Sequence, residues 1–138
     1  MNLSRRLIVS LLLGAVSIFC ISPIIFANQT DPAPAPLDYR VINGQWQRTD
    51  GNYLLKVSDV QTDGKVTAAY FNPRPVHIAQ ADISPQKELI KLFIKFDDKG
   101  YTGSTYKLYY FAEKDALVGF YHQAEIDKLF EVVFLRKP

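Results

Sequence analysis

NGQWQRTDGNYLLKV, residues 43–57, decides the fold. Gln45 to Arg48 is a short run carrying a single tryptophan, Trp46. Thr49-Asp50-Gly51 follows, and Asp and Gly favour turns because they tolerate the backbone angles a reversal needs. Beyond it Tyr53, Leu55 and Val57 alternate with Lys56 and Ser58. Side chains repeating every second residue line one face of a β-strand. A short strand, a tight turn and a second alternating strand predict a β-hairpin.

The same pattern continues outward. The second strand reads from Tyr53 to Val60, and Asp63-Gly64 is another hairpin signal. Val66 to Phe71 is the third, closed by Asn72-Pro73-Arg74-Pro75. A weaker strand runs from His77 to Ile83, ending near Ser84-Pro85. Leu89 to Phe96 puts Ile90, Leu92, Ile94 and Phe96 on one face and Lys91, Phe93 and Lys95 on the other. After the loop Asp97 to Gly103, Ser104 to Phe111 sets Tyr106, Leu108 and Tyr110 against Lys107 and Tyr109. Glu113-Lys114-Asp115 turns the chain into Ala116 to Tyr121. His122 to Leu129 has room for one helical turn, and Phe130 to Arg136 is last. No internal repeat is evident.

These are eight short strands with short connections, so sequence neighbours should pair antiparallel. Closing such a meander into an up-and-down barrel removes its exposed edges. The expected fold is therefore all-β, a small eight-stranded antiparallel up-and-down barrel over residues 43–138. A two-sheet sandwich ranks second, because long Greek-key connections are missing.

The 138-residue chain opens differently. Arg5-Arg6 precede an apolar run of 13 residues, Leu7 to Phe19. Ser22-Pro23 breaks it, and Ile25-Phe26-Ala27 offers a cleavable end. This is the layout of a secretory signal peptide cut between Ala27 and Asn28. The expected location is secreted or periplasmic, with no membrane attachment after cleavage. A retained anchor is the alternative, since Leu7 to Ala27 approaches the roughly 20 residues that span a bilayer. The one cysteine, Cys20, lies in this segment. Phe19 before it disfavours a lipid-modified cysteine. The mature chain then has neither a disulfide nor a thiol. Residues 28–42 form a Pro/Ala-rich tether, with Pro32, Pro34 and Pro36 favouring extended chain.

Without the first 27 residues, 111 remain, with 14 basic and 14 acidic side chains. The formal charge of zero offers no basic field for nucleic acid. Aromatics are abundant, with all eight Tyr, the Trp and seven of nine Phe in this part.

Arg136 returns the reading to the first strand. Phe130, Val132, Phe134 and Arg136 share a face, and the first three are apolar. An inward arginine needs a partner, and an indole face suits a guanidinium. First and last strands adjoin in a closed barrel, so Arg136 can reach Trp46. Gly44 would let the chain pack closely there.

Gly44-Gln45-Trp46 with a late Arg136 resembles the calycins, the lipocalin and avidin superfamily. The opening stretch is most similar to avidin-like barrels. Tyr106 to Tyr121 (YKLYYFAEKDALVGFY) resembles small secreted bacterial lipocalin-like proteins of uncharacterised function. The resemblance covers about residues 43–136 and implies a barrel fold and small-molecule binding. The 93 residues from Gly44 to Arg136 fall well short of a full lipocalin. The polar cluster that holds biotin in avidins has no clear match.

Candidate chemistry is sparse. His77 and His122 match no metal motif, so neither a metal nor a cofactor is expected. No nucleophile, base and orienting group can be named together, so the protein is not expected to be an enzyme. The tyrosines are the most suggestive group, each an apolar body with a hydroxyl that needs a partner when buried. Trp46, Tyr53, Tyr106, Tyr110 and Tyr121 are the candidate ligand-binding residues, with Gly44, Trp46 and Arg136 as a structural clasp. One expectation is a barrel holding a small, mostly apolar ligand. The other is a barrel filled by residues such as Leu55, Phe96, Phe120, Phe130 and Phe134. That barrel would act through its surface as an envelope interaction or inhibitor module. There Tyr101, Tyr109 and the loops 72–76 and 97–103 would carry the contacts. The sequence leaves the oligomeric state open.

Overall fold

The structure, a computed structural model, describes residues 35–138. The expected signal peptide, with Ala27, Asn28 and Cys20, lies outside the described residues. No helix among the described residues is long and apolar enough to cross a membrane.

Among the described residues, nine antiparallel strands form one nearly closed barrel. They are β1 (Gly44–Arg48), β2 (Leu54–Ser58), β3 (Thr67–Asn72), β4 (Arg74–Val76), β5 (Ile78–Gln86), β6 (Leu89–Phe96), β7 (Thr105–Phe111), β8 (Ala116–Gln123) and β9 (Lys128–Arg136). Their order around the sheet is β4-β3-β2-β1-β9-β8-β7-β6-β5. The first and last strands adjoin, with Trp46 opposite Arg136.

Nine strands replace the expected eight. The addition is β4, which lies in the stretch read as a Pro-rich turn and pairs Asn72 with Arg74 and Tyr70 with Val76. Pro75 is tolerated because β4 is the sheet's outermost strand, where a missing N–H breaks no ladder. Likewise β5 runs through Ser84-Pro85 rather than ending there. Closure falls between β5 and the turn before β3. Ile83 donates its N–H to Gly64 O at 2.9 Å, and Lys65 bridges Asp82. Gly64 has φ +89°, and a Cβ there would run into the Ile83 carbonyl.

Alternation decides what fills the inside. Ile90, Leu92, Ile94 and Phe96 of β6 are buried, as are Leu55 and Val57 of β2. Trp46, Phe96, Tyr106 and Phe134 lie in the interior with no exposed surface. Each such side chain contributes about 1.5–3 kcal/mol of apolar burial. Phe120, counted above among the fillers, faces outward on β8 and is 38% exposed. Parity settles this, because Leu117, Gly119 and Tyr121 hold the inner face of that strand.

The folded unit takes in Leu37 and Tyr39, in the stretch read as a tether. A 3-10 turn over Tyr39–Ile42 caps one end of the barrel. Ile42 is fully buried, and Leu37 and Tyr39 pack on the core.

One short repeat does exist. Ala112-Glu113-Lys114-Asp115 and Ala124-Glu125-Ile126-Asp127 form the same hairpin turn, a 3-10 turn ending in a left-handed Asp. Aspartate accepts that conformation better than most residues. In each, the Asp carboxylate bonds the side chain five positions earlier, Tyr110 at 3.0 Å and His122 at 2.9 Å.

Candidate functional site

The two ends of the barrel are built differently. At the capped end, the Arg136 guanidinium lies 4.2 Å from the Trp46 ring centroid. It donates Nε and Nη2 to Asp115 at 2.6 and 2.9 Å. Nη1 reaches Asn43 O and Nη2 reaches Val41 O. Trp46 donates Nε1–H to Ile42 O at 2.9 Å, so stack and cap hold one another. Gly44 has φ +142°, and a Cβ there would sit 2.6 Å from Arg136 Nη1. Tyr110 meets Trp46 edge-on at 6.0 Å and bonds Asp115. Pairing with Arg136 holds the Asp115 carboxyl below its usual range.

The opposite end opens into a cup of about 290 Å³. Tyr53, Tyr101, Tyr121 and Phe130 form its walls, with Asn72 and Gln123 at the rim. Arg48 and Tyr70 complete its lining. Tyr53 stacks parallel to Tyr70 at 6.4 Å, and Tyr121 stacks on Phe130 at the same spacing. Asn72 bonds the Tyr101 hydroxyl.

A polar chain runs beneath the cup. Arg48 donates Nη1–H to the Tyr106 hydroxyl at 3.0 Å. The Tyr106 and Tyr70 hydroxyls are 2.9 Å apart. Asp50 takes Nε and Nη2 of Arg48 at 2.5 and 2.7 Å, and the guanidinium lies 4.1 Å from the Tyr53 ring centroid. Burial opposes the Arg48 charge, but Asp50 and Tyr106 more than offset it and strengthen its hold on the proton. Burial pushes the Tyr106 hydroxyl up to about 12, with Tyr70 and Arg48 pulling the other way. Burial also raises Tyr70, and Tyr106 adds to the shift. These hydroxyls stay neutral near pH 7 and serve as hydrogen-bonding groups.

The five candidate binding residues therefore separate. Tyr53 and Tyr121 line the cup. Tyr106 is fully buried under it and touches Tyr121 at a ring spacing of 4.9 Å. Trp46 and Tyr110 belong to the capped end. His77 and His122 each have local partners, Asp97 O at 3.0 Å and Asp127 at 2.9 Å.

Arg48 was not among the candidates, although a signal existed. It lies two residues after Trp46, on the same inward face, as Arg136 lies two after Phe134. Asn72, Gln123 and Phe130 come together only because three hairpin ends meet at the cup.

A cup of this lining can stack a flat apolar group and hydrogen-bond its polar end. It offers no charge to match a carboxylate, because Asp50 already neutralises Arg48. Comparisons with known proteins give no assignment. No family model matches the chain, no curated protein matches it, and no solved structure matches it. The nearly closed antiparallel barrel is consistent with a calycin-like barrel.

Proposed function

We propose that this is an exported, calycin-like barrel that binds one small, mostly apolar ligand in the cup at its open end. The observation that carries the reading is the pairing of aromatic walls with the Arg48–Tyr106–Tyr70 chain beneath them. About 290 Å³ sits at the low end of the roughly 300–1,000 Å³ usual for ligand sites. The ligand is therefore small, flat and neutral, with a hydrogen-bonding head at the Arg48 end. Export rests on the signal-like N-terminus.

The test is native mass spectrometry of residues 28–138, with and without a metabolite extract. Reproducible added mass is expected, and it should disappear in Tyr53→Ala and in Gln123→Trp, which crowds the cup. A bare protein in every condition overturns the proposal, as does added mass that both variants retain.

A second reading is a filled barrel acting through its surface on another envelope protein. The side chains packed through the centre favour it, together with the apolar residues left on the outer face of β7 to β9.

A further inference from the structure

The outer face of β7, β8 and β9 is unusually apolar for a surface. Phe120, Leu129 and Leu135 are 38%, 62% and 47% exposed there, and Phe111 is 40% exposed. The strand registers place these side chains in rows across the sheet. One row is Lys107–Phe120–Glu131, and the next is Tyr109–Val118–Val133. A third is Phe111–Ala116–Leu135, and Leu129 falls in a fourth, Thr105–His122–Leu129, at the edge of the face.

Each of the first three rows is centred on β8, and its two flanks complement one another. Lys107 and Glu131 have opposite charge at about 5 Å on either side of Phe120. Tyr109 and Val133 are both largely apolar, as are Phe111 and Leu135.

We infer that two copies of the chain associate through this face, about a two-fold axis running along β8. Such an axis turns one sheet onto the other with strands aligned and exchanges the flanks of each row. Lys107 of each copy then meets Glu131 of its partner on either side of a Phe120–Phe120 contact. Tyr109 meets Val133, and Phe111 meets Leu135. A two-fold interface must be self-complementary in just this way. A flat apolar face alone would fit many partners, but flanks matched across one strand single out a second copy. An axis along the rows instead would stack Lys107 on Lys107 if it ran through that row, and would set Lys107 and Glu131 against apolar Phe111 and Leu135 if it ran through the next. One strand further out, Lys91 of β6 continues the Tyr109 row and comes opposite Thr49, which is uncharged.

The contact spans three strands, about 10 Å, and five residues along them, about 17 Å. That footprint is well below the roughly 800 Å² per partner of a stable interface, so the dimer should be weak and should dissociate on dilution. This inference is independent of the cup, which lies at the barrel's end.

Sedimentation velocity of residues 28–138 over a concentration series tests it. All described core residues lie within that span. A reversible monomer–dimer equilibrium is expected. Lys107→Glu alone, or Glu131→Lys alone, should weaken it by at least about tenfold, because two attractive pairs become repulsive. The double variant Lys107→Glu/Glu131→Lys should restore it. Both side chains are exposed, so their exchange leaves the core intact. A protein monomeric at every concentration overturns the inference and leaves the face to a different partner. A dimer indifferent to the single variants, or one the double variant fails to restore, overturns it too.

Discussion

Asp115 binds both Nε and Nη2 of Arg136, at 2.6 and 2.9 Å, and so fixes the guanidinium over Trp46. The turn between β7 and β8 thereby fastens β9 to the cap. Arg136→Ala should cost about 2–3 kcal/mol in urea unfolding, because charged hydrogen bonds and the stack are lost together. Arg136→Lys should recover only part, since an ammonium cannot fork onto a carboxylate. Asp115→Ala combined with Arg136→Ala should cost clearly less than the sum of the two. Strict additivity would mean that the pair is not coupled.

Acid should act through the same carboxylates. Arg136 lowers Asp115, and Arg48 lowers Asp50. Both groups then hold protons less tightly in the folded chain than in the unfolded one. Their stabilisation is present above the unfolded carboxylate value, about 3.9, and is lost as pH falls through the folded values. A thermal unfolding series below pH 5 should decline less steeply in Asp115→Asn than in the parent. Identical slopes would remove Asp115 from the account.

Tyr106→Phe removes one hydroxyl and strands two partners, Tyr70 and Arg48 Nη1. The expected cost is about 1–3 kcal/mol. Alkali gives a second reading of the same network. Burial raises Tyr106 to about 12, so its neutral form is favoured by folding. That stabilisation is complete below about 10, the unfolded value, and fades as pH climbs toward 12. Tyrosinate absorbance from Tyr70 and Tyr106 should appear only with unfolding, and its appearance while the barrel is still folded would count against this network.

Gly64→Ala should open the seam between β5 and the turn before β3. The added methyl meets the Ile83 carbonyl, and φ is positive there. Amide exchange should quicken first at Ile83, whose N–H bonds Gly64 O. Uniform quickening across all strands would show that the seam is not a separate weak point.

Much of this architecture was legible because alternation reports which way a side chain points. Trp46 and Arg136 could be joined from sequence because inward parity and adjacent end strands leave little freedom. Alternation says nothing of height along the barrel axis. Tyr106 and Tyr110 share one face of β7, yet four residues separate them by about 13 Å. One therefore lies under the cup and the other beside the cap. Asp115 escaped notice because a turn aspartate already has a local reason to be there. Pro75 hid β4 for a similar reason, since proline usually forbids pairing and only an edge position permits it.

The chain enters the barrel through the cap at Tyr39–Ile42, and Arg136 of β9 ends beside that same cap. Both ends of the folded unit thus leave from one pole, and the cup occupies the other. A tag, a fusion partner or a sensor surface joined at Pro138 would leave the cup facing open solution. Protein immobilised through Pro138 should consequently behave like free protein in the binding test with a metabolite extract.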